Sequence, residues 1–315
     1  MKVLVTGCAG FIGSHLVEKL LKEGYEVVGI DCFTDYYSRD LKERNLSNFK
    51  MDENFTFIEG DIINLNLRKI LRDVSYVFHQ AAQAGVRRSW GESFDVYVRN
   101  NILTTQKLLE ACKDSNVGKF IYASSSSVYG DVKKLPMKES FKPKPVSPYG
   151  LTKLAGEQLC YLYWKNYNLP AIALRYFTVY GERQRPDMAF HKFIKAILRN
   201  EEILIYGSGE QTRDFTYISD VIEATILAMK SKLRGFEIFN VGCGSHISIN
   251  QVIKKLEAII GKKAKVRYVE KQKGDVMHTY ADIFKAKKML GWEPKVSLDE
   301  GLKRQVEWEK QIYRK

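Results

Sequence analysis

The chain has 315 residues, of which 45% are hydrophobic and 28% charged, an ordinary balance for a globular protein of one large or two smaller domains. No apolar run approaches the roughly 20 residues of a membrane helix and no signal peptide precedes the first strand, so we expect a cytoplasmic protein without membrane contact. The net charge of +13 would suit nucleic acid or an acidic small molecule, but the basic residues are dispersed along amphipathic helices, so nucleic-acid binding is not expected.

The first half of the chain alternates short β-type runs with stretches of helical period, which is the pattern of a parallel α/β sheet. The predicted strands are Val3–Thr6, Glu26–Ile30, Phe55–Ile58, Tyr76–His79, Phe120–Ala123 and Ala171–Leu174. The predicted helices are Gly13–Glu23, Leu65–Arg72, Val96–Lys113 and Tyr149–Tyr167. The last two helices carry apolar residues on more than one face, as helices at a subunit interface do, so we expect a homodimer.

After Tyr176 the sequence pattern changes to helices that are separated by loops rich in Gly, Gln and Arg. The predicted helices are Met188–Arg199, Ser219–Met229 and Ile249–Ile260, and the β-type run Glu237–Val241 interrupts them. We expect residues 1–176 to form a Rossmann-type doubly wound parallel sheet to which 235–242 return. Residues 177–315 are expected to form a smaller, intertwined α/β domain whose loops contact the substrate.

Cysteine and histidine spacing gives no sign of a metal centre. The five cysteines are scattered without a CxxC pair, and no two histidines stand three or four residues apart. We therefore expect reduced cysteines that serve packing, and no metal site.

Three glycines, Gly7, Gly10 and Gly13, separate the first predicted strand from the first helix. Glycine allows the tight turn and lets a pyrophosphate approach the helix amides, so this GxxGxxG loop predicts a dinucleotide site. Asp31 ends the next strand, where a carboxylate binds a ribose 2′-hydroxyl and repels a 2′-phosphate, which favours NAD over NADP. Asp61, after the third strand, either contacts the adenine or caps the helix that follows it.

Tyr149 and Lys153 stand four residues apart at the start of a predicted helix and so share one face of it. A phenol with a pKa of about 10 is a weak base, but a nearby ammonium and an oxidised nicotinamide would lower that pKa. The pair could then take a hydroxyl proton while hydride leaves for the cofactor. The serines from Ser124 to Ser127 follow the fifth strand, at the edge where a parallel sheet binds ligands.

These motifs together resemble those of the extended short-chain dehydrogenases/reductases of the nucleotide-sugar epimerase/dehydratase family. The matching segments are TGCAGFIG, Asp61, HQAAQ, Asn101, SSSSVYG, YGLTK, LRYFTVYG and GEQTRDFTYISDV. The resemblance implies that Ser125 bonds the sugar O4 beside Tyr149, that Ser126 and Ser127 line the sugar pocket, and that Lys153 also holds the nicotinamide ribose. It implies an NAD site formed by Gly7, Gly10, Phe11, Ile12, Gly13, Asp31, Asp61, Ile62, Ala81, Ala82, Asn101 and Lys153.

The residues after the serine that binds the sugar bear on the type of reaction. Dehydratases of this family carry Asp-Glu there, and uronate decarboxylases carry Glu at the second position. This chain has Ser126 and Ser127, with no acid to protonate a leaving group or a carbanion. The resemblance therefore implies a UDP-sugar 4-epimerase, which oxidises C4, rotates the ketone and returns the hydride. The alternatives are a UDP-glucuronate decarboxylase and a non-catalytic NAD-binding protein.

For the sugar, the resemblance is greatest to UDP-glucuronate 4-epimerases. Thr178 stands where many epimerases of neutral hexoses have Asn, and Arg185-Pro-Asp-Met and the loop from Gln83 to Arg87 match the uronate enzymes. Arg185 could bind a C6 carboxylate by a forked contact, or form a surface or dimer ion pair instead. UDP-GlcNAc and UDP-glucose remain alternative substrates.

The nucleotide end of the substrate is expected at two further residues. Arg213 matches the family arginine that meets the diphosphate, and Asp275 matches a residue near the uridine ribose. The chain departs from the family in having Lys271 and Lys273 where arginines often stand. The predicted substrate site is therefore Gln83, Arg87, Ser126, Ser127, Thr178, Arg185, Arg213 and Asp275.

Overall fold

The computed structural model describes residues 1–313 of the chain. Its strands are β1 (Lys2–Thr6), β2 (Glu26–Asp31), β3 (Phe55–Glu59), β4 (Val74–His79), β5 (Lys119–Ser125), β6 (Ala171–Tyr176), β7 (Thr178–Tyr180), β8 (Glu202–Tyr206), β9 (Thr212–Arg213), β10 (Phe215–Tyr217), β11 (Phe236–Val241), β12 (Ile247–Ser248) and β13 (Lys265–Val269). Its helices are α1 (Phe11–Lys22), α2 (Arg39–Ser47), α3 (Leu67–Ile70), α4 (Phe94–Tyr97), α5 (Thr104–Lys113), α6 (Pro148–Tyr167), α7 (Ala189–Arg199), α8 (Ile218–Lys230), α9 (Ile249–Ile260), α10 (Phe284–Leu290) and α11 (Leu298–Tyr313).

The centre of the molecule is a parallel sheet of seven strands in the order β11-β6-β5-β4-β1-β2-β3. The strand order reverses between β1 and β4, where Thr6 lies beside Ile30 on one side and His79 on the other. In such a sheet the loops diverge at the reversal and leave a crevice at the carboxyl ends of the strands. The predicted Rossmann-type doubly wound fold is confirmed.

Both faces of the sheet are buried, because side chains of successive strand residues point to opposite sides. In β1, Val3 and Val5 pack with α1 and α8, whereas Leu4 packs with α3 and α5 in a separate core. This two-sided burial explains why the strands read as continuous apolar runs rather than alternating ones. The helices on the two faces hold the sheet edge, and therefore the crevice, in a fixed position.

The chain after β6 builds small two-stranded sheets that pair β7 with β10, β8 with β13 and β9 with β12. The sequence predicts that residues 235–242 return to the first sheet. In the structure, β11 lies parallel to β6, with Phe236 opposite Ala171. The chain thus crosses between the large sheet and the smaller part more than once. Residues 314 and 315 of the predicted second domain lie outside the described residues.

The predicted helix Val96–Lys113 is not continuous. A turn of π-helix from Val98 to Leu103 separates α4 from α5, and the predicted helix Leu65–Arg72 is reduced to α3. Over residues 1–313, no helix is both long enough and apolar enough to cross a membrane.

Candidate active site

A cleft opens at the strand reversal and encloses about 1180 Å³ together with the solvent at its mouth. The predicted cofactor residues that line it are Gly7, Gly10, Phe11, Ile12, Gly13, Asp31, Asp61, Ile62, Ala81, Ala82 and Lys153. Tyr149, Gln83 and Arg185 line the same cleft. The structure therefore brings the glycine loop, the Tyr149/Lys153 pair and two of the predicted substrate residues to a single site.

The glycine loop closes tightly against the neighbouring strands. The Gly7 N–H donates to the Ile30 carbonyl at 2.7 Å, and the Gly10 N–H donates to the Gly7 carbonyl at 3.0 Å. A Cβ atom at Gly7 would lie 2.8 Å from the Ala81 nitrogen, and one at Gly13 would lie 2.0 Å from the Gly7 oxygen. The absence of side chains leaves the first amides of α1 facing the cleft, so this cradle fits the pyrophosphate of a dinucleotide.

Asp31 lies at the end of β2, next to the glycine loop. Its carboxylate accepts the Ala9 N–H and the Phe33 N–H, both at 3.0 Å. Burial raises the pKa of Asp31, against the opposing effect of these two hydrogen bonds. The carboxylate lines the cleft in a fixed orientation, as the predicted contact with a ribose hydroxyl requires.

Lys42 lines the cleft near Asp31 and was not predicted from the sequence. Its ammonium donates to the Thr34 carbonyl. Burial lowers the pKa of Lys42, although the negative charge of Asp31 opposes this change. Lys42 belongs to α2, a polar helix without the apolar period on which the sequence reasoning relied. Its two leucines, Leu41 and Leu46, are the signal that could have revealed it.

Asp61 caps a short 3₁₀ helix, Ile62–Asn64, by accepting the Ile63 N–H at 3.0 Å. Its other oxygen accepts a hydrogen bond from Arg99 at 2.6 Å. Asp61 therefore caps this short turn, whereas Asn66 caps α3, the helix that follows the turn. Because Asp61 also lines the cleft, capping leaves the adenine contact open.

Asn101 lies one layer behind the cleft, in the π-helical turn, and is 1% exposed. Its amide accepts the Gln83 N–H at 2.7 Å and donates to the Gln83 carbonyl at 3.0 Å and to Thr152 at 2.9 Å. It thereby ties the loop that carries Gln83 to α6. Asn100 and Thr104 line the cleft instead.

Helix α6 begins at Pro148 under the cap of Ser147, which accepts the Gly150 N–H at 3.1 Å, and this start places Tyr149 at the cleft. Burial raises the pKa of Tyr149, while Ser125 and Arg185 oppose the rise. Burial also lowers the pKa of Lys153 to about 8, although Cys160 and Glu157 oppose this change. In the chain without cofactor, desolvation thus outweighs the neighbouring charges and the pKa of Tyr149 is raised, whereas the expected lowering by Lys153 together with an oxidised nicotinamide stays a prediction.

The serines after β5 form a short turn against α6. Ser125 caps this turn by accepting the Ser127 N–H at 3.1 Å, and its hydroxyl bonds to Tyr149. A Cβ at Gly150 would lie 2.5 Å from the Ser127 carbonyl oxygen, so the turn and the helix are in close contact. Ser124 lines the cleft, whereas Ser125, Ser126 and Ser127 are placed beside it.

Arg87, in the loop after β4, lies close to two residues of the second part of the chain, Arg213 and Asp275. Arg87 donates to Asp275 at 2.8 Å and lies 4.0 Å over the ring of Tyr206. Burial lowers the pKa of Arg213, although the negative charge of Asp275 opposes this change. These three residues and Thr178, whose N–H donates to the Asp214 carbonyl at 3.0 Å, do not line the cleft around the glycine loop.

Arg185 forms a two-point ion pair with Asp187, with Nε 2.9 Å from Oδ1 and Nη2 3.0 Å from Oδ2. Its charge is close enough to Tyr149 to oppose the rise of that residue's pKa. Arg185 therefore has an ion pair within its own chain and also faces the site. Among residues 1–313, no group of three His, Cys, Asp or Glu side chains could hold a metal ion.

Comparison with known proteins gives matches along nearly the whole chain. The family model described as GDP-mannose 4,6 dehydratase matches residues 4–305. The chain is 48% identical to a UDP-glucuronate 4-epimerase of Thermodesulfobacterium geofontis, over 98% of this chain and 96% of that protein. It is 44% identical to YtcB of Bacillus subtilis, described as an uncharacterized UDP-glucose epimerase, over 99% of both chains.

The fold comparison gives a similar result. A crystal structure of UDP-glucuronic acid 4-epimerase from Bacillus cereus, in complex with UDP-glucuronic acid and NAD, superposes with a TM-score of 0.97. It shares 49% sequence identity and covers 99% of this chain and 100% of its own.

Proposed function

The chain belongs to the GDP-mannose 4,6 dehydratase family, within the extended short-chain dehydrogenases/reductases, and from this membership we propose its function. It is an NAD-dependent UDP-sugar 4-epimerase, an isomerase. The observation that carries the proposal is the placement of Tyr149 and Lys153 in one cleft with the glycine loop. UDP-glucuronate and UDP-galacturonate are its preferred substrate and product.

The chain's own residues divide the chemistry among them. Bound NAD accepts the hydride from sugar C4 and returns it to the opposite face of the ketone. Tyr149 removes the proton of the C4 hydroxyl and later gives it back, while Ser125 bonds the same oxygen. Lys153 holds the cofactor ribose, and its ammonium supplies the positive charge that favours the Tyr149 phenolate.

The side chains next to Ser125 support epimerisation over elimination or decarboxylation. Ser126 and Ser127 are hydroxyl residues, so this turn offers no carboxylic acid to protonate a departing hydroxide or a carbanion. A 4-keto uronate is a β-keto acid that readily loses CO₂. The site must therefore return the hydride before that loss occurs, and we propose that Arg185, which lines the cleft, holds the carboxylate.

The free edge of Arg185 supports a uronate as substrate. The guanidinium has five N–H groups, and Asp187 takes two of them along the Nε–Nη2 edge. The Nη1–Nη2 edge remains for a second planar anion, such as the C6 carboxylate. The ion pair and the substrate contact, which the sequence left as alternatives, are therefore compatible.

A homodimer and a cytoplasmic location complete the proposal. Apolar side chains on neighbouring helices, Leu103 next to α5 and Leu151 and Leu162 on α6, are 42–50% exposed, as residues at a subunit interface are in the free chain. The five cysteines are free thiols, in keeping with a reducing compartment.

One incubation with UDP-glucuronate tests the function, with NMR identification of the product. We expect UDP-galacturonate without CO₂ release, and loss of this activity in a Tyr149→Phe variant that still holds NAD. Release of CO₂ with a UDP-pentose would establish a decarboxylase instead. Unchanged turnover in Tyr149→Phe would remove Tyr149 from the mechanism, and no turnover of any UDP-sugar by the wild type would favour a non-catalytic NAD-binding protein.

A further inference from the structure

The contact between Arg185 and Asp187 fixes the orientation of the guanidinium. Two N–H groups of Arg185 are bonded to the two oxygens of Asp187, and the side chains of both residues are about three-quarters buried, with 22% and 25% exposed. Burial raises the pKa of Asp187, but the contact with Arg185 outweighs this effect and the pKa is lowered. Asp187 is therefore ionised near neutral pH, and a two-point contact of this kind leaves the planar guanidinium little freedom to rotate.

Tyr36, which also lines the cleft, bonds the same carboxylate. It lies in the loop after β2, five residues beyond Asp31, and its hydroxyl donates to Asp187 Oδ2 at 3.2 Å. Burial, with the negative charge of Asp187, raises the pKa of Tyr36 to about 12. The phenol thus stays protonated and remains a donor throughout the physiological range. The loop next to the cofactor site is in this way bonded to the segment that carries Arg185.

Gly85 leaves the space that this arrangement needs. Its φ is +106°, and a Cβ at this position would lie 2.5 Å from the Tyr36 hydroxyl oxygen. Any side chain at position 85 would push Tyr36 away from Asp187. Two segments that are distant in sequence therefore meet at one carboxylate, and a third leaves the room for their contact, which is more than a surface ion pair requires.

We propose that Asp187 and Tyr36 are positioning residues, which hold Arg185 with its free edge toward the sugar and thereby set the preference for a uronate over a neutral hexose. This inference rests on the proposed function. Asp187 acts through geometry: it takes the Nε–Nη2 edge and so presents the Nη1–Nη2 edge to the C6 carboxylate. Its negative charge taken alone would act in the opposite direction, because it weakens the attraction of Arg185 for a second anion.

The test compares dissociation constants of UDP-glucuronate and UDP-glucose, measured by calorimetry on the NAD-loaded enzyme. Releasing Arg185 by Asp187→Ala should reduce the preference for UDP-glucuronate by about ten-fold or more, the size expected for a lost charge-assisted contact. Asp187→Asn keeps an acceptor and should retain most of the preference. Tyr36→Phe should cause a smaller loss in the same direction.

Glu18→Gln is the matched control. Glu18 bonds Arg183 at 2.6 Å, two residues before Arg185 in the same segment, and it does not line the cleft. This variant should leave the preference unchanged, and thermal unfolding of every variant separates a lost contact from a lost fold.

Each outcome decides the inference. An unchanged or increased preference in Asp187→Ala would overturn the inference, and an equal increase in Asp187→Ala and Asp187→Asn would show that Asp187 acts by its charge alone. A wild-type enzyme that binds both nucleotide sugars equally would overturn it together with the uronate preference. Failure of the wild type to epimerise UDP-glucuronate would contradict the proposed function on its own, since the binding ratios do not depend on turnover.

Discussion

Glu157 and Arg175 form a buried two-point ion pair beneath the active end of the sheet, with N–O distances of 2.8 and 2.7 Å. Their side chains are 0% and 2% exposed, and the Ser124 hydroxyl also donates to Glu157, at 2.5 Å. Glu157 follows Lys153 by four residues on α6, and Arg175 lies opposite Ser124 on β6. The pair therefore joins the helix of Tyr149 and Lys153 to β6, and the bond from Ser124 joins the same helix to β5, the strand that leads to the serine turn.

Replacing only one residue of this ion pair should lower the stability of the fold. Glu157→Gln leaves the Arg175 charge buried without a counterion, and we expect the free energy of unfolding to fall by about 3–5 kcal/mol. Urea unfolding of the NAD-free protein measures the change.

A double variant provides the control for that experiment. Glu157→Met with Arg175→Met removes both charges and should recover most of the lost stability, since apolar residues can replace a buried pair at little cost. Arg175 Nη1 has no hydrogen-bond partner within residues 1–313, so this replacement also removes an unsatisfied donor. A double variant as unstable as Glu157→Gln would contradict this account.

The buried ammonium of Lys153, which the proposed mechanism requires, should lower the free energy of unfolding. Burial lowers its pKa from 10.5 to about 8, so the folded protein binds this proton less tightly than the unfolded chain does. The penalty is fully present below pH 8, declines as pH rises, and is absent above about pH 10.5. Lys153→Met should therefore stabilise the fold by about 3 kcal/mol at pH 7 and abolish epimerisation.

Denaturant unfolding of wild type and Lys153→Met between pH 7 and pH 10 checks this expectation. The difference in stability should shrink steadily across that range. A constant difference would mean that Lys153 titrates near its ordinary pKa in the folded protein, and that the effect of Met is one of packing.

The sheet and the cofactor cradle could be predicted because their signals are local. A buried parallel strand appears in the sequence as an apolar run, and the spacing of Gly7, Gly10 and Gly13 is itself a local pattern, although the contact that excludes a side chain at Gly7 is with the distant Ala81. Helix α2 was missed because it has little apolar period. It is held by long-range bonds instead, since Asn45 donates to the Ala9 carbonyl at 2.9 Å.

The details of the site depend on contacts between distant residues, which no local pattern contains. Asn101 lies in the π-helical turn and does not line the cleft, and its amide bonds the backbone of Gln83. Arg87 and Asp275 were both predicted to meet the substrate, but their mutual contact at 2.8 Å spans 188 residues. The rise in the pKa of Tyr149 likewise follows from burial, which is a property of the whole fold and not of a local pattern.

Gly13→Ala should abolish NAD binding with the fold retained. The new Cβ would lie 2.0 Å from the Gly7 oxygen, so the loop must open and the cradle must lose its shape. The NAD content of the purified protein and fluorescence titration with NAD measure the effect. Gly235→Ala is the control, because its Cβ would make only an ordinary contact, 3.7 Å from Trp164. A Gly13→Ala protein that retains full NAD would show that the loop can adapt.

Leu162→Glu should convert the expected dimer to a monomer. Leu162 and Leu151 lie on the exposed side of α6, about half exposed, and the neighbouring Leu103 extends the apolar surface. A carboxylate buried in the interface without a partner would be unfavourable, so the subunits should separate. Light scattering after gel filtration gives the mass of each variant. Met51→Glu is the control, since Met51 is also apolar and is 93% exposed but lies in the turn before β3. A monomeric wild type would remove the dimer from the proposal, and a dimeric Leu162→Glu would place the interface on another surface.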